Sequence, residues 1–193
     1  MKKISAITFH RAQNFGSALQ TYALKDTVLK LAEEAKKEVS YSVIDISNTA
    51  QKDLYRHYKR IHSINDIIKN AVVLLNYKKI KTRERKFEDF RKNYLSLTKE
   101  FLDSSNIENE LGSDYYISGS DQIWNVRAKD SADFYYLDFV KNAKKISYAA
   151  SFGPLKIDWD KYDKEKFTAL LNDYSKISVR EEGSQENLKA LTE

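Results

Sequence analysis

The densest group of chemistry-bearing residues follows an apolar run at 115–118. It comprises Gly119, Ser120, Asp121, Gln122, Trp124 and Asn125. In an open α/β sheet ligands bind beyond the carboxyl ends of the strands, so these hydroxyl, carboxylate and carboxamide groups are predicted to line a site. The alternative is an ordinary strand-to-helix turn in which Asp121 caps the next helix. Trp124 also has two interpretations, a stacking face for a ligand or a part of the core.

A second polar junction spans residues 9–17, between the first predicted strand and the first helix. Backbone amides at the helix start could hold an anion, Gly16 permits close approach, and Arg11 adds a positive charge. The segment lacks both the three-glycine dinucleotide fingerprint and the lysine-containing phosphate loop, so NAD and ATP are not indicated. Asp45, at the end of the second strand, is interpreted as a loop or cap residue rather than a ribose ligand.

Two further junctions occur towards the end of the chain. Small residues at 148–154 allow Ser151 and Gly153 to face the same crevice, although Gly-Pro is also typical of a simple tight turn. Arg180 and Glu181 follow a short strand and lead into the last helix. Arginine forms bidentate contacts with carboxylate or phosphate, so Arg180 is predicted to clamp an anion. The alternative is a structural Arg-Glu pair.

Strand-like and helix-like segments alternate along the chain. Strands are predicted at 4–9, 41–46, 115–118, 145–150 and 177–179. Helices are predicted after the first strand, over much of 63–93 and near 161–173. The first helix repeats apolar residues at helical spacing, which predicts one buried face: Leu24, Val28, Leu31, Ala32 and Ala35. The order β-α-β-α-β-β-α-β predicts an α/β fold, a Rossmann-like three-layer arrangement around a mainly parallel sheet with a helical insertion.

Length and composition are typical of a folded domain, since the 193 residues are 41% hydrophobic and 12% aromatic with one proline. No apolar run approaches the roughly 20 residues of a membrane span, and no signal-peptide core follows the amino terminus, so a cytoplasmic location is predicted. The absence of cysteine excludes disulfides and thiol nucleophiles. His57 and His62 lack metal-ligand spacing, and no Gly-x-Ser-x-Gly elbow occurs, so neither a metal site nor a serine hydrolase is predicted.

The net charge of +5 is concentrated in one region. Residues 51–92 hold 13 Lys or Arg against 5 Asp or Glu, a local excess of +8, whereas the remainder carries −3. A solvated helix face explains such a run in most proteins, and attraction to an anionic substrate or an acidic membrane surface is an equally simple explanation. No recognised nucleic-acid motif accompanies the charge, so a nucleic-acid partner is not favoured.

Several segments together resemble the polysaccharide pyruvyltransferase family. They are residues 8–10, 14–16, 19–24, 119–125, 145–153 and 177–181. Members of that family place two Rossmann-like domains face to face, in a glycosyltransferase-B-like architecture. The resemblance implies that residues 1–193 form the amino-terminal half, a single Rossmann-like domain with a basic helical insertion at 51–95 and the start of an interdomain helix at 183–193. A second, carboxyl-terminal domain is then expected to be missing from this chain.

The resemblance also implies an activity, the transfer of a pyruvyl group from phosphoenolpyruvate to a pair of sugar hydroxyls of a cell-surface polysaccharide or its precursor. Phosphoenolpyruvate is then the donor substrate, and no cofactor is expected. The acceptor would be a sugar or a lipid-linked oligosaccharide, reached by peripheral association with the inner membrane face. A lone half of such an enzyme is expected to be inactive and to self-associate as a homo-oligomer through its exposed cleft face.

In this interpretation His10 and Asp121 move protons and Arg180 clamps the anionic donor, which makes these three the predicted catalytic residues. The predicted substrate-binding residues are Arg11, Asn14, Gly16, Gly119, Ser120, Gln122, Trp124, Asn125, Ser151, Gly153 and Glu181. His10 has the alternative of a structural hydrogen bond at a strand end. Two other functions stay open, a non-catalytic module that binds a glycan or nucleotide and a nucleotide-sugar glycosyltransferase.

Overall fold

The fold is built on an open sheet of parallel strands. The computed structural model describes residues 1–54, 56 and 61–192. The strands are β1 (Lys2–Ile7), β2 (Val39–Ile46), β3 (Leu97–Phe101), β4 (Tyr115–Asp121), β5 (Lys144–Ala150) and β6 (Tyr174–Lys176). Their order across the six-stranded sheet is β3-β2-β1-β4-β5-β6, and each neighbouring pair is parallel. The predicted α/β class with a parallel, Rossmann-like sheet is therefore confirmed.

Helices connect and flank these strands. They are α1 (Phe15–Glu34), α2 (Thr49–Leu54), α3 (Ile64–Leu75), α4 (Tyr77–Tyr94), α5 (Ile107–Leu111), α6 (Lys164–Asn172) and α7 (Glu182–Thr192), with short 3₁₀ turns at Asp133–Tyr136 and Trp159–Lys161. The helix predicted near 161–173 is confirmed as α6, and the helices predicted over much of 63–93 are confirmed as α3 and α4. His57 lies outside the described residues. None of the helices in the described ranges combines the length and the apolar character that a membrane-crossing span requires.

Both faces of the sheet are covered, as consecutive strand residues show. Ala6 and Ile7 of β1 are fully buried and belong to two separate apolar clusters. Val43 and Ile44 of β2 divide between the same two clusters. Because side chains alternate along a strand, consecutive buried apolar residues in β1 and β2 show that the sheet is covered on both faces.

The predicted buried face of α1 is wrong in its second half. Leu24 is buried, but Leu31 is 58% exposed and Ala35 is exposed as well. The 20 residues of α1 span about 30 Å, whereas the 6 residues of β1 span about 20 Å. The last turns of the helix are therefore left without sheet to pack against.

Two strands also differ from the sequence-based prediction. Strand β3 is not predicted, because it includes the exposed Lys99 and Glu100 and lies at the edge of the sheet, where one neighbour suffices. The last strand lies at Tyr174–Lys176 rather than at 177–179, and Val179 forms an isolated bridge to Ala150. Neither difference affects the direction of the strands, which are all parallel.

The strand order reverses between β1 and β4. The chain leaves β1 through α1 towards β2 on one side, and it leaves β4 towards β5 on the other. In doubly wound sheets a crevice opens at this reversal, beyond the carboxyl ends of the two strands. The junctions that follow β1 and β4 therefore flank the expected binding position.

Candidate functional site

Ser17 and Asp121 join the two junctions at the strand-order reversal. Ser17, in the first turn of α1, donates from Oγ to Asp121 Oδ2 over 2.5 Å, and the Gln122 amide donates to Asp121 Oδ1 over 2.8 Å. Asp121 has φ of 89°, in the left-handed region that side chains rarely adopt. Strained backbone of this kind concentrates at functional sites, where the surrounding structure holds it in place. Asp121 is thus both fixed and strained at the reversal.

The end of β5 is tied to the end of β4. The Ser151 amide donates to the Asp121 carbonyl over 3.0 Å, and the Trp124 amide donates to the Ser151 carbonyl over 3.1 Å. The Ser151 hydroxyl, fully buried, donates to Glu181 Oε1 over 2.5 Å and accepts from the Gly153 amide over 2.9 Å. Ser151 is therefore a link between Asp121 and the start of α7.

Glu181 and Arg180 form the far end of this series of contacts. Arg180 donates from Nε to Glu181 Oε2 over 2.9 Å, and Ser184 also donates to Glu181 Oε1. Burial alone would raise the pKa of Glu181, but hydrogen bonds from Ser151, Ser184 and Arg180 outweigh it and lower that pKa. The Arg180 side chain is 35% exposed, and among the described residues nothing hydrogen-bonds its terminal nitrogens. We call Ser17, Asp121, Ser151, Glu181 and Arg180 the edge network.

A second polar group lies at the ends of β2 and β3. His10 is buried, with Nε2 2.8 Å from Asp45 Oδ1 and Nδ1 3.2 Å from the Thr8 carbonyl oxygen. Arg11 contacts Asp45 through Nε over 2.6 Å and Glu100 over 3.1 Å. Burial alone would raise the pKa of Asp45, but hydrogen bonds and positive charge from His10 and Arg11 hold it well below its usual range.

Two arginines of α4 hold the loop that carries His10 and Arg11. Arg83 donates to the Gln13 carbonyl over 2.8 Å, and Arg91 donates to the Arg11 carbonyl over 3.2 Å. Part of the positive charge of the insertion therefore has a structural role, because it satisfies backbone carbonyls of the loop between β1 and α1.

Residues 14–192 of the chain match the family model described as polysaccharide pyruvyl transferase. The chain belongs to this family. No curated protein and no solved structure matches it. The matched range includes every residue of the edge network, whereas His10 and Arg11 precede it.

Asn14 and Gly16 have local structural roles in this pyruvyl transferase family member. Asn14 caps α1, since its Oδ1 accepts from the amides of Gly16 over 2.7 Å and Ser17 over 3.4 Å. The helix start was predicted to present these amides to an anion. The cap occupies both of them, so these two amides are not available to an anion.

Two of the predicted site residues around β4 belong to the core. Trp124 is fully buried, donates from Nε1 to Ser118 Oγ over 3.0 Å and stacks on Tyr136 at 5.5 Å. It therefore fills the core and offers no stacking face to a ligand. Gly119 is a packing residue, because a Cβ there would lie 2.6 Å from Leu24 Cδ2.

The partly exposed polar residues after β4 in this family member include Ser120, Gln122 and Asn125. Asn125 donates from Nδ2 to Gln122 Oε1 over 3.1 Å. Gly153 has φ of 87°, and a Cβ there would lie 2.8 Å from Asn125 Nδ2. Glycine at 153 thus lets the β5 loop close against these two amides.

The structure thus gathers some predicted residues and separates others. Asp121, Ser151, Glu181 and Arg180 belong to one network, whereas His10 and Arg11 belong with Asp45. Sequence reasoning missed Ser17, Glu100 and Ser184. Only Ser17 carried a usable signal, as a hydroxyl in the first turn of a helix that starts at the predicted crevice.

Other parts of the molecule offer less chemistry. An open depression of about 610 Å³, lined in part by Lys2, Asp114 and Lys144, lies at the amino-terminal ends of the strands, opposite the edge where ligands bind in such sheets. Within the described ranges, no group of three or more histidine or carboxylate side chains is arranged to hold a metal ion.

Proposed function

We propose that this protein transfers the pyruvyl group of phosphoenolpyruvate to two hydroxyls of a sugar, in a cell-surface polysaccharide or its precursor. Family membership indicates a transferase. The observation that carries the finer proposal is the edge network, which places a carboxylate, Asp121, and a guanidinium, Arg180, in one hydrogen-bonded series at the carboxyl edge of the sheet.

The proposed reaction sets two requirements. One sugar hydroxyl adds to C2 of phosphoenolpyruvate while the methylene carbon gains a proton and becomes a methyl group. The bond from C2 to the phosphate oxygen then breaks, inorganic phosphate leaves, and the second hydroxyl attacks C2 and releases its proton to form the ketal. A base must take a hydroxyl proton, and cations must hold the anionic donor.

Asp121 is assigned the proton transfer. Its carboxylate is oriented by Ser17 and by the Gln122 amide, and each oxygen keeps a further lone pair that can accept from a sugar hydroxyl. The half-buried amides of Gln122 and Asn125, together with Ser120, are assigned to the other sugar hydroxyls. This places the acceptor above the ends of β4 and β5.

Arg180 is assigned the donor. Glu181 holds its Nε, which leaves the terminal nitrogens to bind the phosphate or carboxylate of phosphoenolpyruvate in a bidentate contact. His10 and Arg11 are assigned a positioning role, because Asp45 engages both side chains. A protein domain that faces the carboxyl edge is proposed to complete the cleft, as the two-domain architecture of the family resemblance implies.

The test is a transfer assay in the full-length protein with phosphoenolpyruvate and soluble glycan acceptors. We expect phosphate release and a ketal methyl signal by NMR, both lowered by about 100-fold or more in Asp121→Asn and in Arg180→Ala. Asp160→Asn and Arg85→Ala, at exposed positions outside the network, are the matched controls. Normal transfer by both network variants would refute the assignment, and release of a nucleoside diphosphate from a nucleotide sugar would indicate a glycosyltransferase instead.

A further inference from the structure

Helix α3 turns its apolar side away from the protein. Ile64 is 77% exposed, Leu75 is 86% exposed, and four more apolar residues of the helix are each more than half exposed. Those four are Ile67, Ile68, Val72 and Leu74. With Ile64 and Leu75 they lie at spacings of mostly three, four and seven residues, so the six side chains form one continuous face. No residue of α3 is buried.

The inward side of α3 is mostly polar. Its partly buried residues are Asp66, Asn70 and Val73. A helix of a globular protein normally places its apolar stripe against the core and its polar side in water. The orientation of α3 is the reverse. This arrangement is typical of a helix whose apolar side contacts a membrane or a protein partner.

Local sequence specifies α3 as a helix independently of burial. Ser63 Oγ lies 3.3 Å from the Asp66 amide, and Asp66 Oδ2 accepts from the His62 amide over 3.1 Å. These contacts are similar to a capping box, although the Asp66 carboxylate binds the amide of His62 rather than that of the cap residue Ser63. They satisfy backbone donors and so stabilise the start of a helix whose apolar face points outward.

Positive charge accompanies this face. Residues 61–92, which include α3 and α4, hold nine Lys or Arg against four Asp or Glu. The exposed cations are Lys69, Lys78, Lys79, Lys81, Arg83, Arg85, Lys86 and Lys92. A strong apolar face next to basic residues is typical of helices that lie in the interface of a membrane with anionic lipids.

We propose that α3 lies in the headgroup region of an anionic lipid bilayer, with its apolar face inserted and the cations of α4 against lipid phosphates. This places the carboxyl edge of the sheet near the membrane surface, since Arg83 and Arg91 of α4 bind the loop at that edge. The proposal concerns a surface, and it stands whether or not the edge network transfers pyruvyl groups.

The first test is sedimentation of the full chain with phosphatidylcholine vesicles, with and without phosphatidylglycerol. We expect binding only with phosphatidylglycerol, lowered by about tenfold or more in the double variant Ile68→Gln and Leu75→Gln. Leu31→Gln with Leu102→Gln is the matched control, because those side chains are 58% and 86% exposed against 56% and 86% for the test pair. An equal loss of binding in the control would overturn the proposal.

Charge is tested in the same assay. Lys78→Glu with Lys79→Glu should lower vesicle binding more than Lys37→Glu with Lys164→Glu, which changes the net charge equally at exposed positions elsewhere. Raised salt should weaken binding, since charges at a surface are screened beyond about 10 Å at 0.1 M. Equal effects of the two charge variants would contradict a local contact.

Two further measurements do not depend on loss of binding. Leu74→Trp should show a blue-shifted emission with phosphatidylglycerol vesicles, whereas Leu31→Trp, away from α3, should not. Trp124 and Trp159 are already buried, so their own emission should not change on vesicle binding. Light scattering gives the oligomeric state. A dimer that the α3 variant dissociates, without vesicle binding by the parent, would show that a second copy covers this face and would overturn the membrane proposal.

Discussion

Ser17 and Asp121 meet across the point where the sheet reverses its strand order, with Ser17 Oγ 2.5 Å from Asp121 Oδ2. One residue is carried by the first turn of α1 and the other by the last position of β4. The contact fixes the carboxylate of a residue whose backbone lies at φ of 89°. A strained residue persists only when its surroundings hold it, and here both the side chain and the carbonyl of Asp121 are engaged.

Alanine and glycine at position 121 distinguish the effect of the carboxylate on activity from the effect of the strained backbone on stability. Both variants lose the carboxylate, so we expect pyruvyl transfer to fall by about 100-fold or more in each. Asp121→Gly should be about 1 kcal/mol more stable than Asp121→Ala, because glycine adopts positive φ without steric cost. Urea unfolding of the two proteins measures this difference, and equal stabilities would mean that the backbone at 121 is not strained.

Asp45→Asn should weaken the fold at neutral pH and reduce its sensitivity to acid. The pKa of Asp45 is lowered in the folded state, so its stabilising effect is present above the unfolded pKa of about 3.9 and is lost as the pH falls towards the folded value. We expect a loss of about 3 kcal/mol at pH about 7, because His10 and Arg11 both lose the Asp45 carboxylate and only the more exposed Glu100 is left to Arg11. The difference in free energy of unfolding between Asp45→Asn and the parent should become smaller below pH about 4.

Urea unfolding at the two pH values checks this prediction. Asp26→Asn is the control, since Asp26 pairs with Lys30 at the surface and its loss should cost under about 0.5 kcal/mol. A gap between Asp45→Asn and the parent that stays constant in acid would argue against an ionised Asp45 in the folded protein.

Gly119→Ala and Gly183→Ala should have opposite effects on stability. A methyl group at 119 would lie 2.6 Å from Leu24 Cδ2 and 3.0 Å from Thr8 Cγ2, so we expect a loss of about 1 to 3 kcal/mol. A methyl group at 183 has its nearest neighbour at 4.0 Å and lies within α7, so alanine should add about 0.5 to 1 kcal/mol. Thermal unfolding of both variants shows whether each one is less or more stable than the parent. A Gly119→Ala variant as stable as the parent would mean that α1 and β4 are less closely packed than described.

Trp124→Phe should affect stability and leave substrate affinity unchanged. The change removes the hydrogen bond from Nε1 to Ser118 Oγ, whereas Trp159 Nε1 has no hydrogen-bond partner in the described part of the chain. We therefore expect Trp124→Phe to cost about 1 to 2 kcal/mol more than Trp159→Phe. Steady-state kinetics with varied acceptor provide the second measurement, and a raised acceptor KM in Trp124→Phe alone would restore a stacking role for Trp124.

The presence of β1, β2, β4 and β5, and the polar junctions after β1, β4 and β5, could be predicted from the sequence by itself. Apolar periodicity and the small and polar residues that interrupt it are local signals, and parallel strands bring their carboxyl ends to one edge. The edge strand β3 and the exposed second half of α1 could not, because both depend on how many neighbours an element has rather than on its own pattern.

The functional meaning of individual residues was decided by the tertiary structure. His10 and Arg11 are engaged by Asp45, which lies on another strand, and Trp124 is turned into the core by Ser118 and Tyr136. The sequence likewise determines that the apolar residues of α3 share one face, but not that this face points outward. Periodicity defines which side chains lie together along an element, whereas the positions of the surrounding elements decide whether those side chains are covered, paired or left for a ligand.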